Sequence, residues 1–286
     1  MLQGAEWDQD VVFIGDIHRQ WRYVAEGLAK SARKPGVAVL LGDMECDKPL
    51  DVAAAPLLDA GIEVHWIWGN HDYDGGPEMW ANLVDHQRNP RTRHGVLNAR
   101  VTEIGGLRIA GLGGTFRRRV WEPPGDPRLQ ARGELREDMK TLGPDWTEEQ
   151  RHSMAEALAA MAIWPEDVEA LSALRADVLV THEAPSSHPQ GVSTLDELAR
   201  RMGARLVIQR EGAALQHEFG LVGQVQHGLG AVLDEGHGAL EPGLVVFGDD
   251  ATALQVDIQG QLGEAFVRRE TQPVGIDVGQ LVEIEP

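Results

Sequence analysis

The chain has 286 residues and a formal net charge of −19, from 26 basic and 45 acidic side chains. This length suffices for one large or two modest domains with a full hydrophobic core. The acidic balance argues against a nucleic-acid backbone or an anionic membrane as the main partner. Cys46 is the only cysteine, so no internal disulfide can form. Neither a signal-peptide pattern nor a membrane-length apolar run is present, so we expect a cytoplasmic protein.

The first predicted element is a buried strand at Val11 to Ile14, an apolar run rich in β-branched residues. The run stops at a glycine and delivers Asp16 and His18, a carboxylate and an imidazole two residues apart. Apolar positions at helical spacing then predict a helix from about Gln20 to Ala32. A strand that ends in these two side chains is a place that can hold a metal ion.

Two further predicted strands also end in polar side chains. Val37 to Leu41 leads into Gly42-Asp43-Met44-Glu45, and Ile62 to Trp68 leads into Gly69-Asn70-His71-Asp72. A helix over Val52 to Leu58 is predicted between them, with Pro56 as a position where it can break. This alternation indicates an α/β layered fold with partly parallel strands, in which ligands bind at the carboxyl ends of strands.

The middle of the chain begins with a predicted hairpin of Val101 to Ile104 and Leu107 to Ala110. Residues 121–165 then combine a Pro-rich loop with a helix, and we interpret them as a lid inserted into the core. Thr147 and Gln150 form a capping-box pattern at the start of that helix. Helices are also predicted over Pro165 to Leu174 and from Ser193 or Thr194 to Arg201.

A fourth apolar run that stops at a metal-binding side chain is Val178 to Val180, which is followed by His182. One more short strand is predicted at Leu206 to Ile208. Beyond it the composition shifts, since all eight Trp residues lie earlier in the chain. We therefore divide the chain into a core, residues 1–208, and a strand-rich part, residues 209–286, packed on the same domain. The strands predicted there are Leu244 to Phe247, Ala253 to Ile258 and Leu281 to Ile284.

The polar side chains at the four strand ends are a mixed set of Asp, His and Asn. Such a set suits Mn, Fe, Co, Ni or Zn better than Ca. Two metal ions held about 3.5–4 Å apart need a bridging ligand and can clamp a phosphoryl group for in-line displacement. Asp43, on the middle one of the first three strand ends, is the natural bridge.

The order of these motifs strongly resembles the calcineurin-like metallophosphoesterases. The motifs are Gly15-Asp16-Ile17-His18, Gly42-Asp43-Met44-Glu45, Gly69-Asn70-His71-Asp72 and Thr181-His182-Glu183-Ala184-Pro185. The resemblance covers roughly residues 10–208. It implies an αββα sandwich of two mixed sheets flanked by helices, with a site for two divalent metal ions at one edge.

The resemblance also implies roles for the individual residues. Asp16 and His18 would bind the first metal ion, Asn70 and His182 the second, and Asp43 would bridge. His71 would face the phosphoryl group as an acid or electrostatic stabiliser, and Asp72 would orient its imidazole. Asn70 and His71 are also expected at the substrate. Independently of the resemblance, the basic run of residues 117–119 is interpreted either as a solvated run or as a substrate-anion site that includes Arg117.

The family's last motif, G-H-x-H, is not matched, because the chain contains no His-x-His pair. Gln209-Arg210-Glu211-Gly212 follows the strand that should precede this motif, and Gln224 and Gln226 stand in a similar frame further on. The side chains that could complete the site instead are His217, His227, His237, Glu211 and the pair Asp249-Asp250.

Two functions are consistent with these observations. The first is a metal-dependent phosphoesterase that hydrolyses a small phosphate mono- or diester by means of a metal-activated water. The second is a metal-binding or regulatory protein of the same fold, in which the altered last motif impairs catalysis.

Overall fold

The computed structural model describes residues 11–30, 35–138, 147–186, 188 and 190–209, and the backbone of five strands between residues 212 and 269. The first part of the core alternates strands and helices, as predicted. Its elements are β1 (Val11–Ile14), α1 (Trp21–Lys30), β2 (Val37–Leu40), α2 (Leu50–Ala53), α3 (Ala55–Asp59) and β3 (Glu63–Trp66). The strands β1, β2 and β3 pair in parallel.

The helix predicted over Val52 to Leu58 is two short helices. Helix α2 gives way to α3 at Ala54, and Pro56 lies in the first turn of α3. Proline has no backbone N–H to donate and is tolerated only in the first turn of a helix. A new helix, α3, therefore begins at Ala55, and α2 does not continue through Pro56.

The second part of the core contains another set of parallel strands. Its elements are α4 (Pro77–Val84), β4 (Arg100–Ile104), β5 (Leu107–Leu112), α5 (Arg132–Asp138), α6 (Glu148–Ala160), α7 (Pro165–Ser172), β6 (Val178–Thr181), α8 (Ser193–Met202) and β7 (Leu206–Gln209). Strands β4 and β5 form the predicted hairpin, and β5, β6 and β7 run parallel.

The C-terminal part adds strands to both sheets. These strands are β8 (Gly212–His217), β9 (Gly220–Gln226), β10 (Gly243–Val245), β11 (Leu254–Gln259) and β12 (Glu264–Arg269). Strand β12 pairs with β1, and β8 pairs with β7. Two of the three predicted C-terminal strands correspond to β10 and β11, and the third, Leu281 to Ile284, lies outside the described residues.

The two sheets have the strand orders β10-β11-β12-β1-β2-β3 and β4-β5-β6-β7-β8-β9. Side chains alternate across each strand: Val11 and Phe13 contact residues of the second sheet, whereas Val12 and Ile14 pack towards the helices. On the far side of the second sheet, Leu179 and Val207 pack against α7 and α8. The predicted αββα sandwich of two mixed sheets is thus confirmed.

The segment interpreted as a lid contains α5 and α6, and the predicted capping box is present at the start of α6. Thr147 Oγ1 accepts a hydrogen bond from the Gln150 N–H at 3.1 Å, and Gln150 Oε1 accepts one from the Thr147 N–H at 2.9 Å. Val120, Leu135, Ala162 and Trp164 form a small buried cluster in this region. The assignment of residues 121–165 as an inserted lid remains a prediction. Among the described residues, no helix has the length and apolar character needed to cross a membrane.

His65, buried on β3, should make stability depend on pH. Burial lowers the pKa of its imidazole, although a 2.9 Å contact with Glu63 Oε1 acts in the opposite direction. The unfolded chain, with a His pKa of about 6.5, therefore binds more protons than the folded chain as the pH falls below that value. We expect His65→Gln to lose less free energy of unfolding than wild type between pH 7.5 and 5.5. Urea titrations at both pH values measure this, and an equal loss in both proteins would contradict it.

Candidate metal centre

The polar residues after β1 and β2 lie in an unusual backbone conformation. Asp16, His18, Asp43 and Glu45 all have positive φ, between 42° and 53°. This left-handed region is unfavourable for residues other than glycine and persists where surrounding contacts enforce it. One such contact is the 2.8 Å hydrogen bond from the His18 N–H to the Asp43 carbonyl. The two strand ends are thereby locked together with their side chains directed to a common site.

Three of the predicted ligands converge at this site. Asp16, Asp43 and His182 each offer one ligand atom, and these atoms all lie within 4.8 Å of one another. Asp43 and His182 are completely buried. Because Asp16 and Asp43 follow β1 and β2 while His182 follows β6, the cluster lies where the carboxyl ends of the two sheets meet.

Asp43 occupies the centre of the cluster, and its role as a bridging carboxylate remains a prediction. Its Oδ1 accepts a hydrogen bond from the His71 N–H at 2.8 Å. Its Oδ2 lies 3.3 Å from His182 Nε2 and 4.0 Å from His18 Nε2. Burial opposes ionisation, but the contacts with His182 and with the His71 N–H hold the pKa of Asp43 at about 2. The carboxylate is therefore ionised at neutral pH, with one oxygen directed between two imidazoles.

Both imidazoles present Nε2 to Asp43 because Nδ1 is used elsewhere. His182 Nδ1 donates to the Leu41 carbonyl at 2.8 Å, and His18 Nδ1 donates to Glu45 Oε1 at 2.5 Å. A carbonyl and a carboxylate only accept, so Nδ1 of each ring carries a proton, and Nε2 is the nitrogen left to bind a metal ion. This hydrogen bonding of the second ring nitrogen is typical of metal-ligating histidines.

The donor atoms around His182 fit a divalent metal ion. His182 Nε2 lies 3.1 Å from Asn70 Oδ1 as well as 3.3 Å from Asp43 Oδ2. A proton on Nε2 could serve only one of these oxygens, whereas a metal ion attracts both oxygens, the nitrogen and the nearby Asp16 carboxylate. Nitrogen and oxygen donors of this kind suit Mn, Fe, Co, Ni or Zn.

Two glycines allow the ligands to come this close. A Cβ on Gly69 would lie 2.1 Å from Asp43 Oδ1 and 2.6 Å from His182 Cε1. A Cβ on Gly42 would lie 2.7 Å from His182 Nδ1, and Gly42 also has a φ of 92°. The absence of a side chain at the start of two motifs is thus a packing requirement of the cluster.

His71 lies at the open side of the cluster, and its partner differs from the predicted one. His71 Nδ1 contacts Asp74 Oδ2 at 2.7 Å, and its ring centroid is 5.6 Å from that of His18. The hydrogen bond to Asp74 raises the pKa of His71 despite partial burial. The prediction that Asp72 orients this imidazole is wrong, because the turn after Asn70 directs Asp74, and not Asp72, to the ring.

Asp72 instead joins the ends of β2 and β3 through the backbone. Its Oδ2 accepts hydrogen bonds from the N–H groups of Gly69, at 2.8 Å, and Asp43, at 3.2 Å, and its Oδ1 accepts one from Glu45 at 2.9 Å. Burial, together with the negative charge of Asp43, raises the pKa of Asp72 to about 6. Asp72 therefore stabilises the backbone conformation of the residues that form the cluster.

Arg117, predicted to contact substrate, lies in the loop after β5 and is half-buried. Burial lowers the pKa of its guanidinium, while the charges of Asp74, Asp43 and Glu183 act in the opposite direction. Its Nε has no hydrogen-bond partner among the described residues. The loop is held in place by the Phe116 N–H, which donates to Glu183 Oε2 at 3.1 Å. A cation thus faces the acidic cluster, and its contact with substrate remains a prediction.

The residues considered as replacements for the last motif fall largely outside the described part of the chain. Gln209, at the end of β7, is buried and pairs with Thr181, the residue before His182. For His217 only the backbone is described, as part of β8. The remaining candidates, Glu211, His227, His237, Asp249 and Asp250, lie outside the described residues.

Two residues of the site, Glu45 and Asp74, were not predicted to contact the histidines that they hold. Each is an acidic residue close in sequence to a motif, which is a weak signal in a chain with 45 acidic side chains. Glu45 also accepts from Arg19 Nε at 2.8 Å, so His18 and Arg19 share one carboxylate.

Comparison with known proteins identifies the family of this chain. The sequence model of the calcineurin-like phosphoesterase family matches residues 10–209. An uncharacterized protein of Haemophilus influenzae (strain ATCC 51907 / DSM 11121 / KW20 / Rd) is 29% identical over 205 residues, which cover 69% of this chain and 80% of that protein. The crystal structure of TT1561 of Thermus thermophilus has a TM-score of 0.42 at 14% identity, over 70% of this chain and 80% of that one. On the family match, the chain belongs to the calcineurin-like phosphoesterases.

Proposed function

We propose that the protein hydrolyses a small phosphate mono- or diester at a centre of two divalent metal ions, Mn, Fe, Zn, Co or Ni. The ligands are Asp16 and His18 for one ion, Asn70 and His182 for the other, and Asp43 between them. The observation that carries this proposal is the position of Asp43 Oδ2 between His182 Nε2, at 3.3 Å, and His18 Nε2, at 4.0 Å.

Divalent metal ions in such a centre lower the pKa of a water molecule and neutralise charge on phosphoryl oxygens. The chain's own residues would orient the substrate and supply a proton to the leaving group. His71 donates from Nδ1 to Asp74, which raises its pKa, and in its protonated form the ring also carries a proton at Nε2 that can be given to the leaving oxygen. Arg117 places a positive charge near the acidic cluster, where it would attract a substrate phosphate.

The charge of the chain supports this substrate class. A net charge of −19 disfavours a nucleic-acid backbone or an anionic membrane surface, since both are polyanions. A small phosphorylated molecule carries few charges, and Arg117 and the metal ions would provide positive charge to attract them. A cytoplasmic location, where such metabolites occur, is part of the same proposal.

The test is hydrolysis of p-nitrophenyl phosphate and of bis(p-nitrophenyl) phosphate by the full-length protein. We expect turnover of at least one ester with Mn²⁺, its loss after chelation, and its return when Mn²⁺ is added again. Comparing the two esters separates a monoesterase from a diesterase. Metal binding without turnover of either ester would contradict the proposal.

That contrary result would favour a metal-binding or regulatory protein of the same fold. The specific observation in favour of this alternative is the missing His-x-His pair, which in the resembling family gives each metal ion one more imidazole. Isothermal titration with Mn²⁺ beside the ester assay distinguishes the alternatives, since only the enzyme shows both binding and turnover.

Glu45→Gln should weaken metal binding without removing a proposed ligand. The carboxylate of Glu45 holds His18 Nδ1 at 2.5 Å, and partners of this kind fix ring orientation and raise ligand basicity. We expect the dissociation constant for Mn²⁺ to rise about 10- to 100-fold in isothermal titration. The matched control is Asp47→Asn, because Asp47 lies 3.7 Å from Arg19 Nε and is exposed. Equal affinities in the two variants would show that Glu45 does not act through His18.

A further inference from the structure

A second cavity, separate from the strand-end cluster, lies between β3, α4 and the helices α5 and α6. Its volume is about 920 Å³, within the usual range of small-molecule sites. Neither His71 nor any of the proposed metal ligands lines it. We refer to it as the aromatic cavity, and its relevant lining residues are Trp66, Trp68, Trp80, Arg93, Arg100 and Ala159.

One wall of the aromatic cavity consists of three indole rings in succession. The ring centroids of Trp66 and Trp68 are 5.5 Å apart, and those of Trp68 and Trp80 are 5.9 Å apart. Trp66 Nε1 donates to the Thr92 carbonyl at 3.3 Å, whereas the buried Trp68 Nε1 has no acceptor among the described residues. Because Trp66 is almost completely buried, Trp68 and Trp80 offer the surface for a planar ring, and Trp68 Nε1 is an N–H donor that still needs an acceptor.

The edge of the aromatic cavity carries positive charge that the protein does not neutralise. Arg93 and Arg100 are exposed, and neither has a carboxylate partner among the described residues, although Arg93 Nε contacts His94 Nε2 at 2.9 Å. By contrast, Arg132 is held by Glu166 and Asp167, and Glu156 faces His152 at 3.1 Å.

These two arginines are notable because the chain as a whole is strongly acidic, with a net charge of −19. Guanidinium groups without a carboxylate partner are suited to bind phosphate, sulfonate or carboxylate groups. The aromatic cavity therefore offers aromatic side chains for a planar ring and guanidinium groups for an anion. A ligand that has both features would fit it.

We propose that the aromatic cavity binds a small aromatic anion, a planar ring that carries a phosphate, sulfonate or carboxylate group. Nucleoside monophosphates are one member of this class. The ring lies against Trp68 and Trp80, and the anionic group is bound by Arg93 and Arg100. This site is independent of the metal centre and of its proposed reaction.

The test uses naphthalene-2-sulfonate, which has a planar ring and an anionic group but no ester to hydrolyse. Binding to the full-length protein is measured by isothermal titration and tryptophan emission, without metal and with Mn²⁺, because a probe bound in the aromatic cavity should bind equally well in both conditions. We expect one site with a dissociation constant below about 1 mM. Naphthalene-2-methanol, which lacks the charge, and methanesulfonate, which lacks the ring, should each bind at least about tenfold more weakly.

Variants locate the probe. The double variant Arg93→Gln/Arg100→Gln should raise its dissociation constant about 100-fold, since a hydrogen bond to a charged group corresponds to roughly tenfold in affinity. The matched control is Arg91→Gln, because Arg91 is exposed on the same segment but pairs with Asp59 at 2.9 Å and does not line the cavity. Arg91→Gln should bind as wild type does.

Ala159→Phe, which adds a ring to the wall formed by α6, should also prevent binding. Thermal unfolding verifies that each variant is folded, and if this one is not, the exposed arginine variants alone decide. Absence of binding, binding that requires Mn²⁺, equal affinity for naphthalene-2-methanol, or unchanged affinity in the double arginine variant would each overturn the proposal.

Discussion

Asp43→Asn is expected to lower metal-dependent ester hydrolysis by about 10³-fold or more. The buried carboxylate lies between His182 Nε2 and His18 Nε2, with its other oxygen held by the His71 N–H. Asparagine has nearly the same shape but no charge, and its amide group would present N–H donors to one of these contacts. Stabilisation of transition-state charge by metal ions corresponds to several kcal/mol, and each 1.36 kcal/mol changes the rate tenfold.

The measurement is kcat for p-nitrophenyl phosphate at saturating Mn²⁺, together with the stoichiometry of bound Mn²⁺. Asp126→Asn is the control, because Asp126 is exposed and its substitution changes the net charge by the same amount. We expect the stoichiometry to fall only in Asp43→Asn. Undiminished turnover in a folded Asp43→Asn protein would exclude Asp43 as the bridge between two ions.

The positions of the main site residues could be predicted from local sequence because strand ends are locally encoded. Buried parallel strands have continuous apolar runs, and the polar residue that stops each run lies at the carboxyl edge of its sheet. Asp16, Asp43 and His182 each follow such a run, and the structure brings all three together. The α/β layering followed from the alternation of strands and helices, whereas the αββα sandwich of two sheets followed from the family resemblance alone.

Contacts that depend on turn geometry or on distant backbone could not be predicted in this way. His71 is oriented by Asp74 and not by Asp72, because the side-chain direction in a turn depends on φ and ψ at each residue. His182 Nδ1 is held by the backbone carbonyl of Leu41, which is 141 positions away. Because every residue has a backbone carbonyl, the sequence does not indicate this contact. Proline at position 56 was visible in the sequence, yet only the structure shows where the new helix starts.

Asp72→Ala should destabilise the fold strongly although Asp72 lies behind the cluster. Its two oxygens accept hydrogen bonds from the N–H groups of Asp43, Glu45 and Gly69, and its side chain is fully buried. Removal leaves these buried donors without acceptors, at a cost of about 1–3 kcal/mol each. Urea unfolding should show a loss of roughly 3 kcal/mol or more, and Asp72→Asn, which keeps one accepting oxygen, should lose less.

Asp74→Ala is the matched control for Asp72→Ala, since Asp74 is exposed and contacts the ring of His71 rather than the backbone. Its free energy of unfolding should stay within about 0.5 kcal/mol of wild type, whereas its kcat should fall because His71 loses the group that orients it. If Asp74→Ala lost stability and Asp72→Ala did not, the assignment of a structural role to Asp72 and an orienting role to Asp74 would be refuted. The expected pattern separates a carboxylate that holds the backbone of the metal centre from one that orients its proton donor.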